Sequence, residues 1–454
     1  MCGQEVRVMG QGLDVKRLRE DFPALHRPGA NGRLPIYFDN AAGTVPPRQV
    51  IEAVTEYYEQ YPSCVGRSRY SWANVVKEKV HQARLAIARF INVPGARQRA
   101  AHDPGAMEWP KHVMFVKNTT EALNLVARGL FWEEGEVVIT GDREHNSNRT
   151  PWWDLAKTRG IIPKVIKRGG SDAPDAEFDV GAFLQELDEI DRRVGPVKLV
   201  SLAQIYNLDG YTIPEAAIQK ITAYCHDRDP AIYVMLDAAQ SVPHVPVDVQ
   251  ALDVDFMAFS IHKMLGPTGV GVCYMKDPTC LTEGFFLSGG GTVTRTFDDQ
   301  VPIYADAPAR YEAGLQNWSG IIGAGAAVEY LQDKIHLIHQ HQVELNACVT
   351  EALWPYHTAG TIMLLGPRDV QQRASICAFE VPARPSEDPW KLEEEILDRC
   401  GEANIMFRTG DFCVHPYCFP RNAARIRLSF YLYNTLEECR TFVDICGPYL
   451  DGRR

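Results

Sequence analysis

Residues 256–272 read FMAFSIHKMLGPTGVGV. A short apolar run ends in Ser260, His262 and Lys263 and enters a turn carrying Gly266, Pro267, Gly269 and Gly271. That pattern reads as a buried strand followed by a tight loop. A lysine placed directly after a buried strand loses hydration on its ammonium. The loss lowers its pKa and makes the neutral amine available to form a Schiff base. Ser260 and His262 flank it with hydrogen-bonding groups of the kind that hold a phosphate. Taken alone, the segment is equally compatible with a strand-end lysine that reaches solvent.

Working outward, the same organisation recurs. Strands are expected at 113–116, 137–140, 197–202, 233–236 and 256–260, with a further pair around 270–274. Amphipathic segments lie between them at 120–130, 151–158 and 214–225. Strand–helix alternation of this kind predicts an α/β fold with a mostly parallel sheet covered on both faces. Residues 95–110 and 169–177, rich in Gly, Pro and small polar residues, read as surface connections. A long helical run at 321–354 precedes mixed segments, which suggests a smaller α+β domain. Three parts are therefore expected: an N-terminal segment 1–35, a large domain 36–320 and a small domain 321–454. Within the first, DVKRLREDFPAL reads as one short helix.

Three more stretches carry chemistry. YVMLDAAQSVPH (233–244) ends a strand on Asp237, with Gln240 beyond it. A carboxylate at the carboxyl end of a parallel strand points into the crevice where α/β sheets bind ligands. There it can pair with a protonated ring nitrogen, or it can simply cap the following turn. FVKNTTEALNLVARGL (115–130) runs from a strand through Thr119 and Thr120 into a helix, whose free N–H groups make an anion site. A plain threonine N-cap fits the same residues. GDREHNSNRTPWW (141–153) supplies His145, a flat ring able to stack on another ring or to sit exposed in a polar loop.

The composition narrows the class. With 454 residues, 45% of them apolar and 23% charged, the chain can bury a large core in two domains. No apolar run approaches the roughly 20 residues that span a bilayer. The first twenty residues do not read as a secretory signal. A net charge of −11 argues against nucleic-acid or anionic-membrane partners. A cytoplasmic protein is the expectation. The twelve cysteines are scattered, and the spacing of Cys413 and Cys418 does not suit a metal site. Most read as small core residues.

The pieces occur in a fixed order: phosphate turn, stacking histidine, ring-nitrogen aspartate, lysine. With IYFDNAAGTVPP (36–47), EHNSN (144–148) and RYEAGLQN (310–317), they make the chain resemble the class V aminotransferase group of fold-type I pyridoxal-phosphate enzymes. Within it the chain is most similar to the cysteine desulfurase and selenocysteine lyase branch. The resemblance implies a large domain with a mostly parallel seven-stranded sheet, a smaller α+β domain and a homodimer. It implies pyridoxal 5'-phosphate bound as a Schiff base to Lys263, with Asp237 at the pyridine nitrogen and Gln240 at the ring hydroxyl. His145 would stack on the ring. Thr119, Thr120, Ser260 and His262 would surround the phosphate, joined by Thr292 from the neighbouring subunit. Asn40, Ala41, Arg67, Asn207, Arg408 and Arg427 would meet the substrate.

FRTGDFCVHP (407–416) places Cys413 where the desulfurase branch carries its nucleophile. The reaction implied is removal of sulfur from L-cysteine or a cysteine derivative through a Cys413 persulfide, leaving alanine, with a sulfur-acceptor protein as a possible partner. Two departures stand out: Asp411 and Phe412 replace the usual histidines, and Gly66 and Tyr70 stand where histidines are common. An acidic Asp411 beside a thiol is expected to raise its pKa. Alternatives within the resemblance are a carbon–sulfur lyase, an epimerase, an aminotransferase of a specialised amino acid, or a non-catalytic member.

Overall fold

The computed structural model describes residues 12–65, 68–97, 109–282, 287–373, 375–414 and 422–453. Seven strands form the main sheet: β1 Val113–Val116, β2 Val137–Gly141, β3 Ile162–Ile166, β4 Val197–Ala203, β5 Tyr233–Asp237, β6 Phe256–Ser260 and β7 Gly271–Met275. Their order across the sheet is β1-β7-β6-β5-β4-β2-β3. Only β7 runs against its neighbours, pairing antiparallel with β1 and β6. The remaining pairs are parallel. β1, β2, β6 and β7 are buried along their whole length, as strands covered on both faces must be. The carboxyl ends of the parallel strands therefore share one edge of the sheet, where a crevice opens.

Five of the expected strands appear to within a residue, and the segment near 270–274 supplies a single strand, β7. β3 was not expected. Its sequence, IPKVI, contains Pro163, and four of its five residues are only half buried, so it lacks the apolar signature of the others. It lies at the sheet edge, where a missing N–H is tolerated.

A second, antiparallel sheet has the order β8-β9-β11-β10, from β8 Met363–Leu365, β9 Ile376–Pro382, β10 Arg408–Thr409 and β11 Ala423–Ser429. It carries its own core, including Leu345, Leu353, Phe379, Ile426 and Phe442, joined by Phe38 from the N-terminal part. The expected boundary at 320 falls inside the helix Trp318–Leu331, whose buried residues belong to the first core. A Cβ on Gly325 would stand 2.8 Å from that of Ala83, so this helix and Ser71–Phe90 approach as closely as glycine allows. The helical run expected at 321–354 is two helices, Trp318–Leu331 and Ile335–Thr358, separated by the polar residues Gln332, Asp333 and Lys334.

The N-terminal segment is also in two pieces, an α-helix Val15–Arg19 and a 3-10 turn Pro23–His26, because Pro23 cannot continue the first helix. It bridges both parts of the fold. Phe22 enters the first core and packs against Tyr330 and Tyr433, while Arg19 bonds Tyr433 O and Glu438.

Gly271 opens β7 where it passes beneath the turn after β1. A Cβ there would lie 2.6 Å from Asn118 Cα and 2.8 Å from its N and C, with only backbone to yield. Gly271→Ala is therefore expected to cost roughly 1–3 kcal/mol. Urea unfolding should show a lower midpoint at unchanged slope; a midpoint equal to that of the parent contradicts this packing.

Candidate active site

A cavity of about 310 Å³ opens at the carboxyl edge of the main sheet. β1 leads to Asn118, Thr119 and Thr120, β2 to His145 and Ser147, and β4 to Ala203, Ile205 and Asn207. β5 brings Asp237, Ala239 and Gln240, and β6 brings Ser260, His262 and Lys263. The small sheet adds Arg408 from β10 and Arg427 from β11, with Phe412 and Cys413 from the turn between them. Ala41 and Ala42 close the N-terminal side.

The phosphate-type corner forms because Asn118 caps the helix Thr119–Gly129, its side chain accepting from Glu121 N–H. Thr119 N–H donates to Ser260 Oγ at 2.8 Å, and the two hydroxyls share a bond of 2.7 Å. Thr120 Oγ1 pairs with Ser147 Oγ at 2.7 Å, and the Thr120 amide has no partner among the described residues. A helix N-terminus lined with hydroxyls and a spare amide suits an anion. His262 stands beside it. Burial, with the charge of Lys263, holds its pKa down to about 4, so its imidazole is neutral near pH 7.

Lys263 sits in a 3-10 turn, Ile261–Lys263, which Thr44 clamps. Thr44 N–H donates to His262 O at 2.9 Å, and Leu265 N–H donates to Thr44 Oγ1 at 2.7 Å. Burial lowers the Lys263 pKa to about 8, with Arg427 pushing the same way and Asp237 and Cys413 opposing. Asp237 moves the other way: burial raises it, against the Ala239 N–H bond at 3.0 Å and the Lys263 charge. Its second oxygen takes no hydrogen bond among the described residues. Gln240 donates to Ala41 O at 2.8 Å, while its Oε1 is buried without a partner.

These are the groups a phosphorylated pyridine aldehyde requires. A buried carboxylate lacks a cationic partner, an amide oxygen lacks a donor, an amine is poised to be neutral, and an anion corner stands alongside. The residues fit pyridoxal 5'-phosphate.

His145 caps the 3-10 turn Asn146–Asn148, its Nδ1 accepting from Ser147 N–H at 3.0 Å, which places the proton on Nε2. Beneath it, buried Glu144 accepts from Ala203 N–H and Asn148 Nδ2 and ties the turn to β4; burial raises its pKa to about 8. Asp209, two residues beyond Asn207, pairs with Arg143 at 3.2 Å and with Arg168 at 2.5 Å, so one buried cluster fixes the loops of both His145 and Asn207.

Arg427 is buried, and its pKa is lowered to about 10 by that burial. Nη1 donates to Asn207 O at 3.0 Å, Nη2 reaches Asp39 at 3.5 Å, and Nε is buried without a partner. Asp39 also holds Arg408 at 2.8 Å.

Of the ten cysteines described, Cys64 and Cys413 are exposed, and Cys413 lines this cavity. The carboxylate of Asp411, two residues before Cys413, pairs with Arg425 at 2.9 Å.

The expected site residues do not all converge. Asn40 is fully buried and holds the fold together, donating to Ser429 O at 2.6 Å and accepting from Tyr433 OH. Thr292 is buried in a turn, its hydroxyl bonded to Gly289, and does not line this cavity. Arg67 and Cys418 lie outside the described residues. Sequence reasoning missed Asp39, Asn118 and Ser147. Each lies within two residues of a position that it did identify.

The class-V aminotransferase family model matches residues 36–442. A protein of Streptomyces coelicolor named "Probable cysteine desulfurase" is 34% identical, with 95% of this chain and 96% of that one covered. A namesake in Pyrococcus abyssi is 34% identical over 92% and 95%. Among solved structures, a cysteine desulfurase of Thermococcus onnurineus superposes with a TM-score of 0.79 at 30% identity, covering 98% of this chain and 99% of its own.

Lys263 should titrate as its surroundings dictate. In the cofactor-free protein, its acylation rate, followed by peptide mapping across a pH series, is expected to reach half-maximum near 8. Asp237 favours the ammonium, so Asp237→Asn should move that point lower. A midpoint near the ordinary lysine value of about 10.4 contradicts the burial account.

Proposed function

Because the chain belongs to the class-V aminotransferase family, we propose that it is a pyridoxal-phosphate-dependent cysteine desulfurase. It removes sulfur from L-cysteine or a cysteine derivative through a persulfide on Cys413 and releases alanine. One observation carries this reading: an exposed thiol shares a cavity with Lys263, Asp237 and Arg427.

Asp237 would hold the ring nitrogen, Gln240 the ring hydroxyl, His145 the ring face, and Thr119, Thr120, Ser260 and His262 the phosphate. The bound cofactor supplies a carbonyl for the substrate amine and an electron sink for the bond that breaks. Arg427 receives the substrate carboxylate, since its Nε is unpartnered and its bond to Asp39 is long. Asn207, Ala41 and Arg408 border the same space. Lys263 then moves protons at the substrate carbons, a task suited to an amine with a pKa of about 8.

The Cys413 thiolate attacks the substrate sulfur. A sulfur–sulfur bond forms as the carbon–sulfur bond breaks, and the electron pair passes to the substrate carbon, which is protonated to give alanine. The outer sulfur of the persulfide leaves to a thiol acceptor.

The proposed working unit is a homodimer in which Thr292 serves the neighbour's phosphate once its hydroxyl exchanges the bond it makes to Gly289 O in the single chain. Thr292 lies outside its own cavity, and the exposed apolar residues Leu287, Val301, Ile303 and Leu315 occupy the same stretch of chain.

Cys413→Ala should bind the cofactor normally yet lose sulfide and alanine production by at least about a thousandfold, as removal of a nucleophile does. Quantifying sulfide, alanine and pyruvate separately decides the case. Undiminished sulfide from the variant removes the persulfide step, and pyruvate with ammonia in place of alanine assigns β-elimination.

A further inference from the structure

The turn that carries Cys413 is built in an unfavourable backbone conformation. Gly410 has a φ of 99°, and the two non-glycine residues after it, Phe412 and Cys413, have φ of 48° and 59°. Residues other than glycine are strained in the left-handed region, and two in succession need outside support. Four contacts supply it. Asp411 pairs with Arg425, which in turn bonds Glu380 at 2.5 Å. Asn207 Nδ2 donates to Phe412 O at 2.7 Å, Asn146 N–H donates to Cys413 O at 2.7 Å, and the Phe412 ring is buried with Ala41, Leu208, Ile376 and Val414.

The fourth contact also touches the carboxylate site. The Arg427 guanidinium lies 4.8 Å from the centroid of the Phe412 ring. Its Nη1 donates to Asn207 O, and Asn207 is the residue that grips Phe412 O. Arg427, Asn207 and Phe412 thus close a ring of contacts one residue away from the thiol. A group that fills the Arg427 fork presses on the element that places Cys413.

We infer that Phe412 is a positioning residue: by stacking on Arg427 it couples carboxylate binding to the placement of the Cys413 sulfur, with the Asp411–Arg425 pair anchoring the turn. The inference rests on the proposed nucleophile and carboxylate site, but not on the identity of the reaction. An aromatic face is what the coupling requires, because a buried guanidinium gains from a ring what an aliphatic side chain of similar bulk does not provide.

The test is alkylation of the holoenzyme with iodoacetate and with iodoacetamide, the rate at Cys413 being read by peptide mass spectrometry. Both reagents form one sulfur–carbon bond through their methylene and release iodide, leaving a carboxymethyl or a carbamoylmethyl group, but only iodoacetate carries a carboxylate for Arg427. The wild type should favour iodoacetate at Cys413 and not at Cys64. In Phe412→Leu that preference should fall about tenfold, the size a desolvated guanidinium–ring contact supports. Phe412→Tyr should keep it within about twofold, since its ring offers a similar face. Thermal melts of both variants verify that folded protein is compared.

A Leu variant with the wild-type preference overturns the inference, as does a wild type with no preference or a Tyr variant that loses as much as Leu. Cysteine turnover by the same proteins separates the two readings. No desulfuration by wild type removes the proposed reaction while the alkylation ratio still decides the role of Phe412. If turnover is present, Phe412→Leu should raise KM and lower kcat together, whereas a loss of folded protein alone lowers the apparent kcat.

Discussion

Lys263 and Asp237 share one cavity without an ion pair between them among the described residues, and the rest of the site depends on that restraint. A close pair would drive the amine toward permanent charge and the carboxyl toward permanent ionisation. Here burial dominates, lowering the Lys263 pKa to about 8 and raising that of Asp237. Each group is left able to respond to a third partner, the amine to a carbonyl and the carboxylate to a ring cation. The parallel sheet makes this possible, because β5 and β6 are adjacent and both end at the same edge.

The small sheet completes a cavity that the large one only begins. Arg408 and Arg427 arrive from β10 and β11, and Asp39, in the stretch 36–47, binds both. Asn40 fixes that segment to Ser429 and Tyr433, so the acid that organises the arginines is itself held by the C-terminal part of the chain. The lining of one cavity is thus drawn from both sheets and from the chain around Ala41.

Much of this was legible in the sequence where local pattern and chemistry coincide. Apolar runs ending in Asp237, in Lys263 and in the Thr119–Thr120 pair announced strand ends, and strand ends are where such a sheet binds. The long apolar stretch after Trp318 hid a break, because polar residues at 332–334 interrupt two helices whose patterns look continuous. β3 escaped because an edge strand with a proline carries little hydrophobic signal. Asn40 stands apart from the cavity for a different reason: Ala41 and Ala42 line it, but the Asn40 amide is taken up by backbone carbonyls, Asn434 and Tyr433. Read locally, Asp411 is an acidic charge and Phe412 a bulky ring beside Cys413. Their partners, Arg425 and Arg427, are close only because β10 pairs with β11, a contact no local window reveals.

The central claim is that Lys263 is the residue that carries the cofactor. Reduction of the cofactor-loaded protein with borohydride, followed by proteolysis and peptide sequencing, tests it directly. A pyridoxyl label confined to Lys263 is the result expected from its burial and its place at the end of β6. A label on any other lysine, or no label at all, contradicts it.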